Sequence, residues 1–401
     1  YPLNLYVNKN ILNTDIQSFI SKNINSNPYD LILKGSVFDG VEIKAIIEQI
    51  EAKKKCESKL KKWFQSPNIY YPNKLNIEQT SSEITALIKS NLISGKSLAD
   101  ITGGFGVDSY YFSKQFKTVV HCEMNIKLAK IAAHNFTVLK ANNIITKCTN
   151  GLEFLKNTEE KFEWIYIDPS RRDTQNKKKF LIEDCSPNIL KHQALIFSHS
   201  KNVLIKMSPM LDISNALQAL KHVSKVYILA VKNEVKELLF IQEKESNSEV
   251  TINTINTYPY RTEHFSFKVS QEKTAETTFS TPQRFLYEPN AAVMKSGAFR
   301  LISEYFKIDK LELNTHLYTS NRIIEGFPGK IYEISSIRPY HKKTLKRIIG
   351  GRKANLKTRN FTEKIDSIKQ YFKISDGGEN YIFFTSSLGN KISLECHLAA
   401  T

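Results

Sequence analysis

A chain of 401 residues with 57 Lys and Arg against 40 Asp and Glu, a formal net charge of +17, is too long for one ordinary compact domain and suits two or three. The surplus points to a polyanionic partner, because clustered cations release counterions from nucleic acid; a lysine-rich proteome is the plainer alternative. Cys56, Cys122, Cys148, Cys185 and Cys396 show no CxxC spacing, no apolar run reaches membrane-spanning length, and Tyr1-Pro2-Leu3-Asn4 lacks the blocks of a signal peptide, so a disulfide framework, a zinc site and a membrane span are excluded and a soluble, cytoplasmic, metal-free protein is expected.

From about Thr14 to Phe64 the apolar residues Val41, Ile46, Ile47, Ile50, Cys56, Leu60, Trp63 and Phe64 recur on one helical face. Lys53, Lys54, Lys55, Lys59, Lys61 and Lys62 crowd its C-terminal half, as a solvated face that suits the helix dipole or as a nucleic-acid contact. After a loop with Pro67, Pro72 and Asn73, Glu78-Gln79-Thr80-Ser81-Ser82-Glu83 opens another helix that Ser81 or Ser82 can cap. From Ser97 short apolar runs alternate with amphipathic segments, the pattern of a parallel sheet with crossover helices. Strands are expected near Ser97 to Ile101, Thr118 to Cys122, Ile144 to Cys148, Trp164 to Ile167, Val203 to Lys206, Val226 to Ala230 and Leu238 to Gln242, with helices such as Asn125 to Lys140, Pro187 to Phe197 and Asp212 to His222. Lys232-Asn233-Glu234 is too short for a crossover, so the last two strands should pair antiparallel.

Beyond Glu243 the chain is rich in Thr, Asn, Ser and Glu and reads as a linker, before strand character resumes at Tyr258 to Val269. A turn and helix follow over Gln283 to Phe306 with Asn290 as cap, then a strand at Leu311 to Thr319 and a turn at Gly326-Phe327-Pro328-Gly329. The closing segment reads strand, helix, helix, strand, strand. Between Arg338 and Lys364 lies the densest basic tract, including Lys342, Lys343, Lys346 and Arg347, with Tyr340 among the cations and Glu363 as its one acid. Such a tract is an electrostatic footprint for nucleic acid, or a solvated surface.

The chemistry concentrates in Asp100-Ile101-Thr102-Gly103-Gly104-Phe105-Gly106-Val107-Asp108, a glycine turn between a strand and a helix, answered by Glu123 after the next strand. Such a turn lets a nucleoside-bearing ligand approach the backbone while the acid accepts ribose hydrogen bonds. A nicotinamide dinucleotide wants G-x-G-x-x-G, but Gly104 and Gly106 are followed by serine at position 109. Asp100 and Asp108 repel a pyrophosphate and suit the cationic amine and sulfonium of S-adenosylmethionine.

Asp100 to Gly106 resembles the first motif of class I S-adenosylmethionine-dependent methyltransferases, with Thr102 where many members have glycine. This D-x-T-x-G-x-G-x-D form is similar to the loop of a bacterial small-subunit ribosomal RNA guanine-N2 methyltransferase family. The resemblance implies a donor site formed by Asp100, Thr102, Gly103, Gly104, Gly106 and Asp108, with Glu123 on the ribose hydroxyls and Asn150 facing the adenine amine. Asp168-Pro169-Ser170, after Trp164-Ile165-Tyr166-Ile167, resembles the D-P-P-x loop where the acceptor meets the methyl group; Asp168 and the Pro169 carbonyl would orient an exocyclic amine. Arg171 replaces the aromatic that usually ends this loop in amino-methyltransferases. Arg171 and Arg172 would hold an acceptor phosphate or form a loop salt bridge. A C5-uracil mechanism needs a cysteine after the fifth strand, and Ile205-Lys206-Met207-Ser208-Pro209 has none; Cys185 is a poor substitute.

Gln79-Thr80-Ser81-Ser82-Glu83, the Thr102 loop and Tyr287-Glu288-Pro289-Asn290 together resemble a family of Bacteroidetes methyltransferases over almost the whole chain. The likeness implies a helical region over 1–92, a Rossmann-like α/β methyltransferase core over 93–245 with a seven-stranded mixed sheet, a linker and small ferredoxin-like α+β domain over 246–328, and a basic THUMP-like module over 329–401. Gln79 and Ser81 would then close over the donor's methionine end, simple helix capping being the alternative. The expected function is S-adenosylmethionine-dependent methylation of a base nitrogen of RNA, ribosomal or transfer, with Lys342, Lys343, Lys346 and Arg347 gripping it. A protein or small-molecule methyltransferase and a non-catalytic RNA-binding protein stay open beside it.

Overall fold

The computed structural model describes residues 8–35, 38–171 and 182–399. It divides into two compact units, Tyr1–Ser224 with Glu237–Ser248, and Lys225–Lys236 with Glu249–Thr401.

The first unit opens with six helices, α1 (Thr14–Lys22), α2 (Pro28–Lys34), α3 (Ile43–Lys59), α4 (Lys61–Gln65), α5 (Lys74–Gln79) and α6 (Glu83–Ser90). The apolar face read from the sequence is buried: Ile46, Ile50, Cys56, Leu60 and Trp63 are almost wholly covered. They share one core with Phe105, Tyr110 and Phe136 of the α/β region, and Trp63 packs edge-on to Tyr110 at 5.0 Å. Most of the α3 lysines serve the fold. Lys53 donates to Ser21, Lys54 pairs with Glu57, Lys55 pairs with Glu78, and Lys59 donates to the Ile77 and Glu78 carbonyls that end α5. Ser82 caps α6, accepting from the Thr85 N–H, while Ser81 turns elsewhere.

The α/β region then runs β1 (Gly95–Asp100), α7 (Val107–Phe112), β2 (Phe116–Cys122), α8 (Ile126–Val138), β3 (Ile144–Lys147), α9 (Gly151–Asn157) and β4 (Trp164–Ile167). A small antiparallel pair, β5 (Ser170–Arg171) with β6 (Cys185–Ser186), precedes α10 (Ile189–His199), β7 (Asn202–Met207), α11 (Ile213–Ala219), β8 (Val223–Val231) and β9 (Glu234–Glu243). Within the first unit the strand order is β9-β7-β4-β1-β2-β3. Pairing is parallel except at β9, which runs antiparallel to β7 with Asn202 opposite Glu243. Lys232 and Asn233, both with positive φ, make the two-residue turn between β8 and β9. Asn125, Asn188 and Asp212 cap α8, α10 and α11. Because the chain builds one side of β1 before returning to β4, the carboxyl ends of β1 and β4 form the sheet's switch point, where a ligand finds a crevice.

In the second unit β10 (Thr251–Thr257) lies parallel to β8 and antiparallel to β11 (Thr262–Lys268). The expected linker is thus partly strand. Thr254 and Asn256 are buried there, with hydrogen bonds to the Phe265 carbonyl and the Glu263 carboxylate, so polar composition misled. Next come α12 (Val269–Thr274), β12 (Phe285–Pro289), α13 (Ala291–Ser296), capped by Asn290 as read, α14 (Phe299–Phe306), β13 (Asp309–Glu312), β14 (Thr315–Ser320), β15 (Gly329–Pro339), α15 (Lys342–Ile349), β16 (Asn355–Thr358), α16 (Ile365–Phe372), β17 (Asn380–Ser387) and β18 (Asn390–Leu398). The expected strand at Leu311 to Thr319 is two strands. An extra one, β16, separates the two closing helices; only Leu356 of its four residues is buried, which hid it from pattern reading.

These strands form one seven-stranded sheet in the order β13-β14-β12-β15-β18-β17-β16. It curls on itself. The Leu388 N–H donates to the Leu311 carbonyl, and Glu288 of β12 binds Lys357 of β16 and, at 2.7 Å, Arg359 just beyond it. Leu286, Leu317, Tyr332, Phe383 and Leu394 fill the interior.

Candidate active site at the carboxyl ends of β1 and β4

Asp100 is the last residue of β1 and is 1% exposed. One carboxylate oxygen accepts from the Thr102 N–H at 3.0 Å, the other from Ser109 Oγ at 2.6 Å. Burial pushes its carboxyl up to about 7, against those two hydrogen bonds and with Asp108 and Asp168 adding to the rise. Ser109, standing where a dinucleotide loop would carry its third glycine, also meets His121 Nδ1 at 2.8 Å. Burial pushes the His121 imidazole down to about 3, so the ring is neutral. Since the Ser109 O–H donates to Asp100, Nδ1–H of His121 donates to Ser109.

The glycine turn sits above this triad. Gly106 has φ +87° and starts α7, and a Cβ there would strike Phe136 at 2.4 Å. Gly104, at φ +56°, has nothing closer to its Cβ position than the Thr102 carbonyl at 4.0 Å, so the loop offers bare backbone to open space. The Gly103 N–H donates to the Cys122 carbonyl at 2.8 Å. Glu123 ties the turn to the second strand, accepting from the Gly104 N–H at 2.9 Å and the Asn125 N–H at 2.7 Å. Thr102 Oγ1 accepts from the Asp168 N–H at 2.7 Å, which couples the glycine loop to the end of β4.

Asp108 does not stand free as a counter-charge, as the loop reading expected. Its carboxylate binds the fully buried Lys89 ammonium at 2.9 and 3.0 Å, Ser81 Oγ at 2.9 Å and Tyr166 OH at 2.7 Å. Lys89 also faces Glu237 of β9 at 3.0 Å. Burial works to raise Asp108, but Lys89 and then Lys206 hold it below the usual carboxylate range. Ser81 therefore reaches the residue that follows the glycine loop, whereas Gln79 ends α5 exposed and joins none of these contacts. Asn150 caps α9, its carbonyl accepting from the Leu152 and Glu153 N–H groups at 2.9 and 3.3 Å.

Lys89, Tyr166, Lys206 and Glu237 were missed by sequence reasoning. Lys89 sits in an ordinary amphipathic helix and Tyr166 in an apolar strand run, so neither is distinctive. In the loop after β4 Pro169 is buried, and the Ser170 hydroxyl is exposed at 3.4 Å from the Ser186 carbonyl. Asp168 is 31% exposed and ion-paired with Lys206 of β7. Arg171 is described in its backbone alone, and Arg172 lies outside the described residues. Cys185 pairs with Arg171 across β5 and β6 and is wholly buried. Burial pushes its thiol up to about 11, so no thiolate is ready for covalent attack.

The basic tract of the second unit is partly spent. Arg338 and Arg352 pair with Glu395, Lys357 and Arg359 with Glu288, and Lys342 with Glu363 at 2.8 Å. Lys342 and Lys346 also lie over the Tyr371 ring, at 5.3 and 4.6 Å. Lys343 and Arg347 stay exposed on α15 without a partner among the described residues. Among those residues no group of His, Cys, Asp and Glu could hold a metal ion, and no helix is long and apolar enough to cross a membrane.

Residues 285–328 match a ferredoxin-like domain model and residues 329–398 a THUMP domain-like model. The crystal structure of a candidate methyltransferase from Porphyromonas gingivalis W83 is similar over 98% of this chain and 99% of that one, with 28% identity and a TM-score of 0.88. More distant are M. capricolum TrmK in complex with S-adenosyl-homocysteine, at 21% identity over 41% of this chain and 69% of that one with a TM-score of 0.32, and a candidate methyltransferase, yhhF, from Escherichia coli, at 17% identity over 40% and 84% with a TM-score of 0.30. No curated protein matches the chain. Sheet order, glycine loop and full-length likeness together give this chain a Rossmann-like class I methyltransferase fold that carries a ferredoxin-like and a THUMP-like domain.

Proposed function

We propose that the protein is an S-adenosylmethionine-dependent methyltransferase acting on RNA. The observation that carries the donor half is the Thr102 bridge: one residue of the glycine loop donates its N–H to the Asp100 carboxylate and accepts from the Asp168 N–H, so the ends of β1 and β4 are tied together. The residues fit the donor. Gly104 leaves backbone open to a ligand, Glu123 stands at the end of the second strand for ribose hydroxyls, and Asp100 can take up negative charge beside a cation. The bound donor supplies a methyl group on a sulfonium, and the chain's task is alignment of the acceptor behind it.

The RNA half rests on the THUMP-like match over 329–398 and on the exposed α15 cations Lys343 and Arg347. Calorimetric titration with S-adenosylmethionine tests the donor. The intact protein should bind it, and Asp100→Ala should weaken binding; no binding, or equal binding by the variant, overturns the reading. Filter binding to total RNA tests the acceptor class. A protein or small-molecule acceptor would leave RNA retention negligible.

A further inference from the structure

Lys206 occupies the acceptor corner beside Asp168. It is the penultimate residue of β7, next to β4, and donates to Asp168 Oδ2. Its side chain is 14% exposed and that of Asp168 31%. Asp168 Oδ1 and the remaining Lys206 N–H groups have no further hydrogen-bond partner among the described residues. Burial opposes the Lys206 charge, but Asp168, then Glu237 and Asp108, raise it well above an ordinary lysine, so it stays an ammonium.

The charge that develops on the acceptor decides what such a pair can serve. An amine becomes more positive as it takes a methyl group, and an ammonium beside it opposes that charge. A hydroxyl behaves in the opposite sense: it loses a proton while its oxygen carries negative character. Asp168 Oδ1 matches the proton and Lys206 matches the oxygen.

Resting on the donor and RNA readings above, we propose that the acceptor is a hydroxyl oxygen, the ribose 2′-hydroxyl of RNA, rather than the base nitrogen that resemblance suggested. The hydroxyl oxygen forms a bond to the donor methyl carbon, and the carbon–sulfur bond breaks with its electron pair left on sulfur as a neutral thioether. The hydroxyl proton passes to Asp168 Oδ1 and on to solvent. Lys206 keeps its protons throughout and stabilises the oxygen.

Two measurements test this. In the first, methyl-tritiated S-adenosylmethionine and the intact protein are incubated with total RNA from cells lacking the gene, and the RNA is hydrolysed in alkali. A 2′-O-methyl group blocks cleavage at its own phosphate, so label should appear in alkali-stable dinucleotides. Label in single nucleotides means base methylation and overturns the proposal. Donor binding without any label in RNA overturns the RNA reading and the ribose assignment with it. The second needs no acceptor: affinities of S-adenosylhomocysteine and of sinefungin, which carries an amine where the donor carries its methylsulfonium, are compared. Lys206→Met should raise the preference for sinefungin about tenfold at nearly constant S-adenosylhomocysteine affinity, because the released Asp168 carboxylate can pair with that amine, while Lys206→Arg should keep the wild-type ratio. An unchanged ratio in Lys206→Met overturns the role of Lys206. Failure of the wild type to bind S-adenosylhomocysteine overturns the donor reading, and this proposal with it.

Discussion

Replacing Lys89 with Met keeps an unbranched side chain in the same space and removes the ammonium on which two buried acids depend. Lys89 is fully buried and lies within 3.0 Å of both Asp108 oxygens, Ser81 Oγ and Glu237, with Tyr166 OH at 3.1 Å. Removing one partner from a buried charge cluster costs about 3–5 kcal/mol. The pH dependence follows from the acids left behind. In the wild type Asp108 is held below its ordinary range, so its contribution is present above the unfolded carboxylate pKa and lost as pH falls. In Lys89→Met its pKa should rise, and the deficit relative to wild type should shrink from pH 8 to pH 5. Both tryptophans, Trp63 and Trp164, lie in the first unit, so their fluorescence in urea reports that unit without interference from the second. A deficit below about 1 kcal/mol at pH 8, or one that does not change with pH, would refute the view that Lys89 neutralises this cluster.

Asp100 titrates near 7, and a cationic donor favours its carboxylate, so S-adenosylmethionine affinity should climb from pH 6 to about pH 8 with proton release on binding; buffer-dependent calorimetry would show it, and a flat affinity would contradict it. Ser109→Ala removes a hydrogen bond that lowers Asp100, which should destabilise the first unit by about 1–3 kcal/mol and shift that affinity profile to higher pH; an unmoved profile counts against the bridge. Lys343→Ala with Arg347→Ala should lower the salt slope of RNA binding by about 2 and leave donor affinity alone, whereas loss of both affinities would indicate misfolding. Glu288→Ala strands Lys357 and Arg359 and should expose the second unit to limited proteolysis at protease levels that the wild type resists.

Much of the core was legible because its signals are local. Glycines at a strand-to-helix turn, the short apolar strands, the helix starts at Asn125 and Asp212 and the cap Asn290 are each set by neighbouring residues, and the structure has them in those places. The rest depends on partners distant in sequence. Lys89 reads as a surface lysine until Asp108 and Glu237, from other elements, surround it. β10 reads as a linker because its buried Thr254 and Asn256 are satisfied from β11, and the α15 charges look free until Glu363 and Tyr371 are brought beside them.

The pairing of β12 with β15 has a bearing on how the second unit can be divided. Phe285 lies opposite Glu333 and Pro289 opposite Gly329, so a strand of the ferredoxin-like segment hydrogen-bonds along the first strand of the THUMP-like one. A gene fragment cut between residues 328 and 329 would leave β15 with an unpaired edge, open to pairing with another chain. The two segments thus share one sheet, and exchange of either between proteins requires a replacement strand in the same register.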